Sequence, residues 1–291
     1  MRKRIMSAAL TLALLLSLCA AAAADNELPP IRRSTAPEGA EALPVYLDGL
    51  LIGRAYAWGS YVYVDLKSLC MHRDIAMDWT GDGKRFSLTL NALEVEGEAG
   101  RQYFTADFRY IYAPEDWLIY GGRLYLPLNA LCKLLNLRAV REDDALKLDG
   151  SSLCLLEGGA DYYDLNYSME DVYWLSHIIG SEAGIEPMEG KIGVGNVVLN
   201  RVKDPDFPDT VFGVVYDYEH TVQFEPVSRG TIHDDPKPDD IIAAYLVLEG
   251  ANTAGDCLYF VNPDFGSYWF DNNLEYVMSI GRHNFYVSKG R

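Results

Sequence analysis

An internal repeat constrains this 291-residue chain more than any other feature. Tyr63-Val64-Asp65-Leu66-Lys67-Ser68-Leu69-Cys70 resembles Tyr125-Leu126-Pro127-Leu128-Asn129-Ala130-Leu131-Cys132, 62 positions later. Each copy follows a glycine turn (Gly59; Gly121-Gly122), begins as a strand and enters a short helix. Each ends in a further strand, residues 85–90 in the first copy and 145–148 in the second. Two related units predict a duplicated small strand-rich α+β domain over residues 43–150. Ahead of the first copy, Val45-Tyr46-Leu47, Asp48-Gly49 and Leu50-Leu51-Ile52 read as strand, turn and strand. Asp-Gly supplies the positive φ angles that a two-residue hairpin needs.

The Asp48-Gly49 hairpin and the run Gly121 to Leu131 resemble the copper amine oxidase N-terminal type of stalk domain. The resemblance covers about a hundred residues and implies a spacer or attachment module, which a cell-wall or spore-envelope protein partner would engage. It implies no copper. The region holds one histidine, His72, and no cluster of ligands for a metal.

The first 24 residues read as a signal peptide: Arg2, Lys3 and Arg4, then the apolar run Ala8 to Leu18, then Ala22-Ala23-Ala24 before Asp25. The apolar run is too short for a lasting membrane span. No later segment is expected to span a membrane, so the mature chain is expected to be secreted into the cell envelope. Residues 25–42, with Pro29, Pro30 and Pro37, read as a linker, and so do residues 151–167. The net charge is −17, and residues 1–24 carry three positive charges and no negative one, leaving about −20 on the remainder. Nucleic acid is excluded as a partner, because its binding requires cations that displace counterions. Hold on an anionic wall would come from a shaped cleft rather than from long-range attraction. Cys70, Cys132, Cys154 and Cys257 lie outside the signal and form no CxxC pair, which argues against a zinc ribbon. Cys70 and Cys132 sit in apolar runs, as buried small side chains do.

From residue 168 the pattern becomes helical. Ser168-Met169-Glu170-Asp171 is a variant capping box. Val172, Leu175 and Ile179 follow at helical spacing, and Gly184 is placed to stop the helix. Pro187 opens a second helix through Ile192, Val194, Val198 and Val202. Gly193 and Gly195 inside it each cost about 1 kcal/mol against Ala, which close packing would offset. Pro238-Asp239-Asp240 starts a third helix, and residues 257–261 read as a strand. Glu182 lies three residues after Ile179 and seven after Leu175, on the apolar face and in the last turn. Both placements disfavour the charged carboxylate and raise its pKa. That suits an acid that protonates a glycosidic oxygen. It also suits a helix-end Glu that reaches solvent or a basic neighbour.

Several ordered motifs then narrow the choice. Residues 181–190 with 194–202 resemble the SleB type of spore-cortex-lytic and cell wall hydrolase family, which shows Glu-Ala-x-x-Glu-Pro-x-x-Gly followed by Val-x-x-Val-Val-Leu-Asn-Arg-Val. The resemblance continues at Phe207-Pro208-Asp209-Thr210-Val211, Gln223-Phe224-Glu225-Pro226-Val227, Leu258 to Pro263 and Ile280 to Tyr286. It implies that residues 168–291 are a mainly helical, lysozyme-like α+β catalytic domain with a small sheet, so the fold class is α+β throughout. It implies an enzyme, without cofactor or metal, that acts on peptidoglycan glycan strands as a lytic transglycosylase or muramidase. Glu182 would be the general acid and base. Gln223, Phe224, Glu225, Tyr259 and Asn262 are substrate-binding candidates, with Phe224 and Tyr259 offering stacking faces to sugars. A second carboxylate would come from Glu186, Glu189 or Glu225. One departure is visible: the family usually has Arg-Gly after Glu-Ala, and this chain has Gly184-Ile185.

Three other classes compete. A zinc amidase or peptidase would need clustered ligands, whereas the five histidines are scattered. A papain-like endopeptidase would pair Cys257 with His283, but Cys257 does not open a helix that would lower its pKa. A non-catalytic wall- or spore-envelope-binding protein would use the N-terminal unit alone.

Overall fold

The computed structural model describes residues 31–33, 38–80, 84–90, 93–98, 101–106, 109–114, 117–142, 144–151, 165–217 and 224–290. The expected signal peptide, Cys154 and most of the expected linker 151–167 lie outside these residues.

The N-terminal part is strand-rich. Its strands are β1 (Ile31–Arg33), β2 (Glu41–Leu47), β3 (Leu50–Trp58), β4 (Tyr61–Asp65), β5 (Ala76–Trp79), β6 (Arg85–Leu90) and β7 (Leu93–Glu98). They continue with β8 (Tyr103–Ala106), β9 (Arg109–Tyr112), β10 (Leu118–Tyr120), β11 (Arg123–Pro127), β12 (Arg138–Glu142) and β13 (Ala145–Asp149). Helix α1 (Leu66–Met71) follows β4, and α2 (Leu128–Leu135) follows β11. Eight strands pair in the order β1-β10-β11-β4-β3-β2-β13-β12, and a second sheet runs β5-β6-β7-β8-β9. Ile31–Arg33, inside the stretch read as a linker, pairs parallel with β10.

Local chemistry explains the turns. Asp48 and Gly49 take φ of 49° and 84° and close the β2–β3 hairpin. Asp65 caps α1, accepting from the Lys67 and Ser68 amides at 3.1 and 3.4 Å. Pro127 stands at the same place in the second copy, where α2 has no side-chain cap. β4 and β11 pair antiparallel with Val64 opposite Leu126, positions that are 62 apart in the repeat. The corresponding strands of the two sequence copies are thus neighbours in the sheet. Both helices bury their leucines in one core with residues of β2, β6 and β13.

The C-terminal part is mixed helix and sheet. It holds α3 (Met169–Ala183), α4 (Met188–Lys203), α5 (Val211–Val215), α6 (Glu225–Arg229), α7 (Pro238–Leu248) and α8 (Tyr268–Asn273). A three-stranded sheet, ordered β14-β16-β15, joins β14 (Tyr259–Val261), β15 (Leu274–Ile280) and β16 (His283–Ser288). The strand expected from Cys257 begins two residues later. Close packing at the two helical glycines is present. A Cβ on Gly193 would lie 2.8 Å from the Phe285 ring, and one on Gly195 2.9 Å from Val247. The buried Lys191–Asp240 pair ties α4 to α7.

The two parts share a core. Tyr103 of β8 and Tyr110 of β9 belong to the helical cluster, and the Tyr110 ring stacks on Tyr245 of α7 at 5.1 Å. Arg109 donates two hydrogen bonds of 2.9 Å to Glu249, at the C-terminal end of α7. Glu249 also accepts from the Tyr167 hydroxyl at 3.1 Å. No helix among the described residues is long and apolar enough to cross a membrane.

Candidate active site

Glu182 is positioned by both ends of α3. At the start, the Ser168 hydroxyl accepts from the Asp171 amide and the Asp171 carboxylate accepts from the Ser168 amide, completing the capping box. Leu175 and Ile179 are fully buried on the face that carries Glu182. At the far end Gly184 closes the helix, where a Cβ would lie 2.4 Å from the Gly180 carbonyl oxygen. Glu182 is half-buried and opens on a cleft of about 2020 Å³. Single small-molecule sites measure roughly 300–1,000 Å³, so this cleft has room for several units of a polymer.

Burial pushes the Glu182 carboxyl up to about 7; the negative charge of Glu225 adds to this and the positive charge of Arg201 opposes it. The direction agrees with the placement on an apolar helix face. The second contributor is a neighbouring carboxylate, which spacing along the chain does not reveal.

The opposite wall is built on α4. Asn200 donates to the Gly255 and Cys257 carbonyls at 2.8 and 2.9 Å, and Arg201 Nε to the Leu258 carbonyl at 2.8 Å. These bonds draw the chain leading into β14 along the helix. The Arg201 guanidinium sits 5.1 Å from the Phe207 ring centre, 5.2 Å from Phe224 and 5.4 Å from Tyr259. Burial lowers its pKa to about 10, so it stays charged near neutral pH.

The candidate substrate residues fall into different places. Tyr259, Glu225 and Asn262 line the cleft. Asn262 Oδ1 caps a short 3-10 turn by accepting from the Asp264 amide at 3.0 Å. Phe224 borders the cleft but is only 2 % exposed, packed on Arg201 and Phe260. One side of its ring meets the Arg201 guanidinium. Gln223 lies outside the described residues.

The three carboxylates considered as partners also separate. Glu186 is buried and accepts from the Arg282 amide at 2.9 Å, in the tight turn between β15 and β16. Glu189 points to the N-terminal part, where Gln102 donates to it. Glu225 alone among them acts on Glu182, and it pairs with Arg229 one turn along α6.

The chain's aromatic wall was not anticipated. Phe265, Trp269 and Phe270 line the cleft, with Phe265 89 % and Trp269 57 % exposed. Asp271 anchors α8 by accepting from Tyr286 and Ser267 at 2.8 and 2.7 Å. The legible signal was the run Tyr268-Trp269-Phe270 beside Asp271-Asn272-Asn273, where no apolar periodicity assigns the rings to a core. At the departure after Ala183, Lys237 Nζ donates to the Gly184 carbonyl at 3.1 Å.

Cys257 is fully buried beside Val197 and Phe285, and burial pushes its thiol up to about 11. His283 borders the cleft, but burial lowers its pKa and its ring packs 5.1 Å from Phe260. A buried, protonated thiol is a poor nucleophile. Among the described residues no three His, Cys, Asp or Glu side chains converge as a metal site. Cys70, Cys132 and Cys257 are free thiols.

Residues 185–286 match the Cell Wall Hydrolase family. The match begins just after Glu182 and includes Arg201, Glu225, Tyr259 and Asn262. A spore cortex-lytic enzyme of Oceanobacillus iheyensis is 32% identical over 119 residues, covering 41% of this chain and 42% of that protein. The Bacillus subtilis spore cortex-lytic enzyme is 29% identical over 119 residues, 41% of this chain and 38% of its own length. The chain thus spans less than half the length of these relatives. The solved catalytic domain of the germination-specific lytic transglycosylase SleB from Bacillus anthracis is 30% identical, covering 42% of this chain and 98% of that one, with a TM-score of 0.39. Over residues 185–286 the chain is thus similar to the cell wall hydrolases.

Proposed function

We propose that residues 168–291 form a lysozyme-like domain that cuts peptidoglycan glycan strands between N-acetylmuramic acid and N-acetylglucosamine. Glu182 is the general acid and then the base. The observation that carries this is a half-buried carboxyl, held near neutrality, that opens on a polymer-sized cleft. The matched cell wall hydrolase family and the spore cortex-lytic relatives support the substrate class.

In the first step Glu182 gives its proton to the glycosidic oxygen, and the bond from that oxygen to muramoyl C1 breaks with its electrons on the oxygen. The Glu182 carboxylate then takes a proton from the muramoyl 6-hydroxyl as O6 bonds to C1, giving a 1,6-anhydro end, or from a water, giving a reducing end. A two-carboxylate hydrolase needs a second acid at a set separation. All three candidate carboxylates have partners, and Glu225, whose pairing with Arg229 is solvent-exposed and whose charge acts on Glu182, is the candidate for activating a water. The exposed rings of Trp269 and Phe265, with the half-buried Tyr259 beside them at the cleft, suit the apolar faces of sugar rings.

The N-terminal part is proposed as the duplicated stalk-like unit, available to a cell-wall or spore-envelope protein. Residues 1–24 are proposed as the signal that sends the chain to the envelope. Digestion of purified peptidoglycan with mass analysis of the muropeptides tests the function. Anhydro-muramoyl ends mark a transglycosylase and reducing muramic ends a muramidase. Intact glycan with freed peptides refutes the proposal.

A further inference from the structure

Arg201 is 4 % exposed, and its Nη1 is buried with no hydrogen-bond partner among the described residues. A charge taken from water costs several kcal/mol unless it is paired and fully hydrogen-bonded, and an apolar side chain of similar volume fills such a site at less cost. Among the described residues three rings and one carbonyl surround the guanidinium, and no carboxylate forms an ion pair with it. A helix cap needs neither the charge nor the orphaned donor. The side chain borders the same cleft as Glu182.

We propose, resting on the function given above, that Arg201 is a positioning residue: the aromatic cage holds its positive charge at the cleft wall, where it stabilises the Glu182 carboxylate left after proton transfer. The charged groups that act on Glu182 are Arg201 from α4 and Glu225 from α6. Tyr259, Asp217 and Glu182 are those that act on Arg201. Lys237, Asp206, Glu186, Asp264, Arg282 and His283 border the cleft as well. Glu225 and Arg201 therefore pull Glu182 in opposite directions. The first keeps the acid loaded with a proton, and the second makes the resulting anion tolerable. The electron-rich faces of the rings help keep a desolvated cation in place. They also deny it the water that would screen its field.

The test compares wild type with Arg201→Met and Arg201→Gln, two neutral side chains that occupy the cage, and with Arg201→Lys. A ¹³C-carboxyl NMR titration of Glu182 needs no turnover. Its midpoint should rise by about one pH unit in the neutral variants and stay near wild type in Arg201→Lys. Glycan cleavage at its optimum should fall about tenfold in the neutral variants, with the basic limb of the pH profile moved up, and recover in part with Lys. An unmoved Glu182 midpoint in whichever neutral variant folds overturns the proposal, because a merely structural role changes stability and leaves the titration alone. A shifted titration in a protein that does not cleave glycan at all refutes the proposed function and leaves the Arg201–Glu182 coupling standing.

Discussion

Replacing Glu182 with Gln removes the acid without changing its size. At pH 7 an ordinary glutamate with a pKa of 4.5 is protonated in about 0.3 % of molecules, while one held at about 7 is protonated in about half. The site thus raises the population of loaded acid by roughly two orders of magnitude, and losing that acid should lower glycan cleavage at least about a hundredfold. The same desolvation has a stability signature. Because the folded-state pKa lies above the unfolded one, the folded chain binds more protons between pH 4.5 and about 7, and stability falls as pH rises through that window. The full shift corresponds to about 3 kcal/mol, and screening at a half-buried carboxyl reduces this to about 1–2 kcal/mol. Glu182→Gln carries no such cost. Unfolding by circular dichroism should therefore show the variant matching wild type near pH 4 and exceeding it by about 3 °C or more at pH 8. An inactive variant with no gain at pH 8 would refute the desolvated-acid account. A fully active variant would refute the role of Glu182 itself.

Glycan cleavage by wild type should fall as pH rises through about 7, as Glu182 loses its proton, and Glu225→Gln should move that limb to lower pH, both read from initial rates between pH 5 and 9. Gly281 has φ of +57°, and a Cβ there would lie 1.9 Å from the Glu186 carboxylate. Gly281→Ala should cost about 2 kcal/mol or more in urea unfolding. Arg109→Ala strips Glu249 of its bidentate partner and should cost about 3 kcal/mol, splitting one calorimetric transition into two. Cys257→Ala should leave cleavage unchanged in the muropeptide assay, since the thiol is buried and protonated.

The features legible along the chain are those set by local periodicity and turn chemistry. The Asp48-Gly49 hairpin, the box at Ser168 and Asp171, the stop at Gly184 and the glycine contacts of α4 all follow from neighbours within a few residues. The apolar face on which Glu182 sits was legible for the same reason, since Leu175 and Ile179 define it; its role as an acid rests on the resemblance of the surrounding motifs. Features that depend on distant segments were not legible. The Arg201 cage assembles rings from residues 207, 224 and 259, and Glu225 acts on Glu182 from a separate helix. Phe224 stands in a quoted motif, yet its burial is decided by Arg201 and Phe260. The α8 wall lies where apolar spacing is irregular, because its rings face solvent rather than a core. The contact of β8 and β9 with α7 joins residues 140 apart, as in Arg109 and Glu249, and nothing local announces it.

That contact changes what the N-terminal part does mechanically. A flexible stalk lets an enzyme sample a sphere whose radius grows with the square root of linker length. Tyr103 and Tyr110 sit in the helical core itself, so the strands that carry them are packed against the domain they precede. If the strand-rich part is fastened to a surface, the cleft is held at one height and one bearing. Its local concentration is then high for strands that pass along that bearing and close to zero for all others.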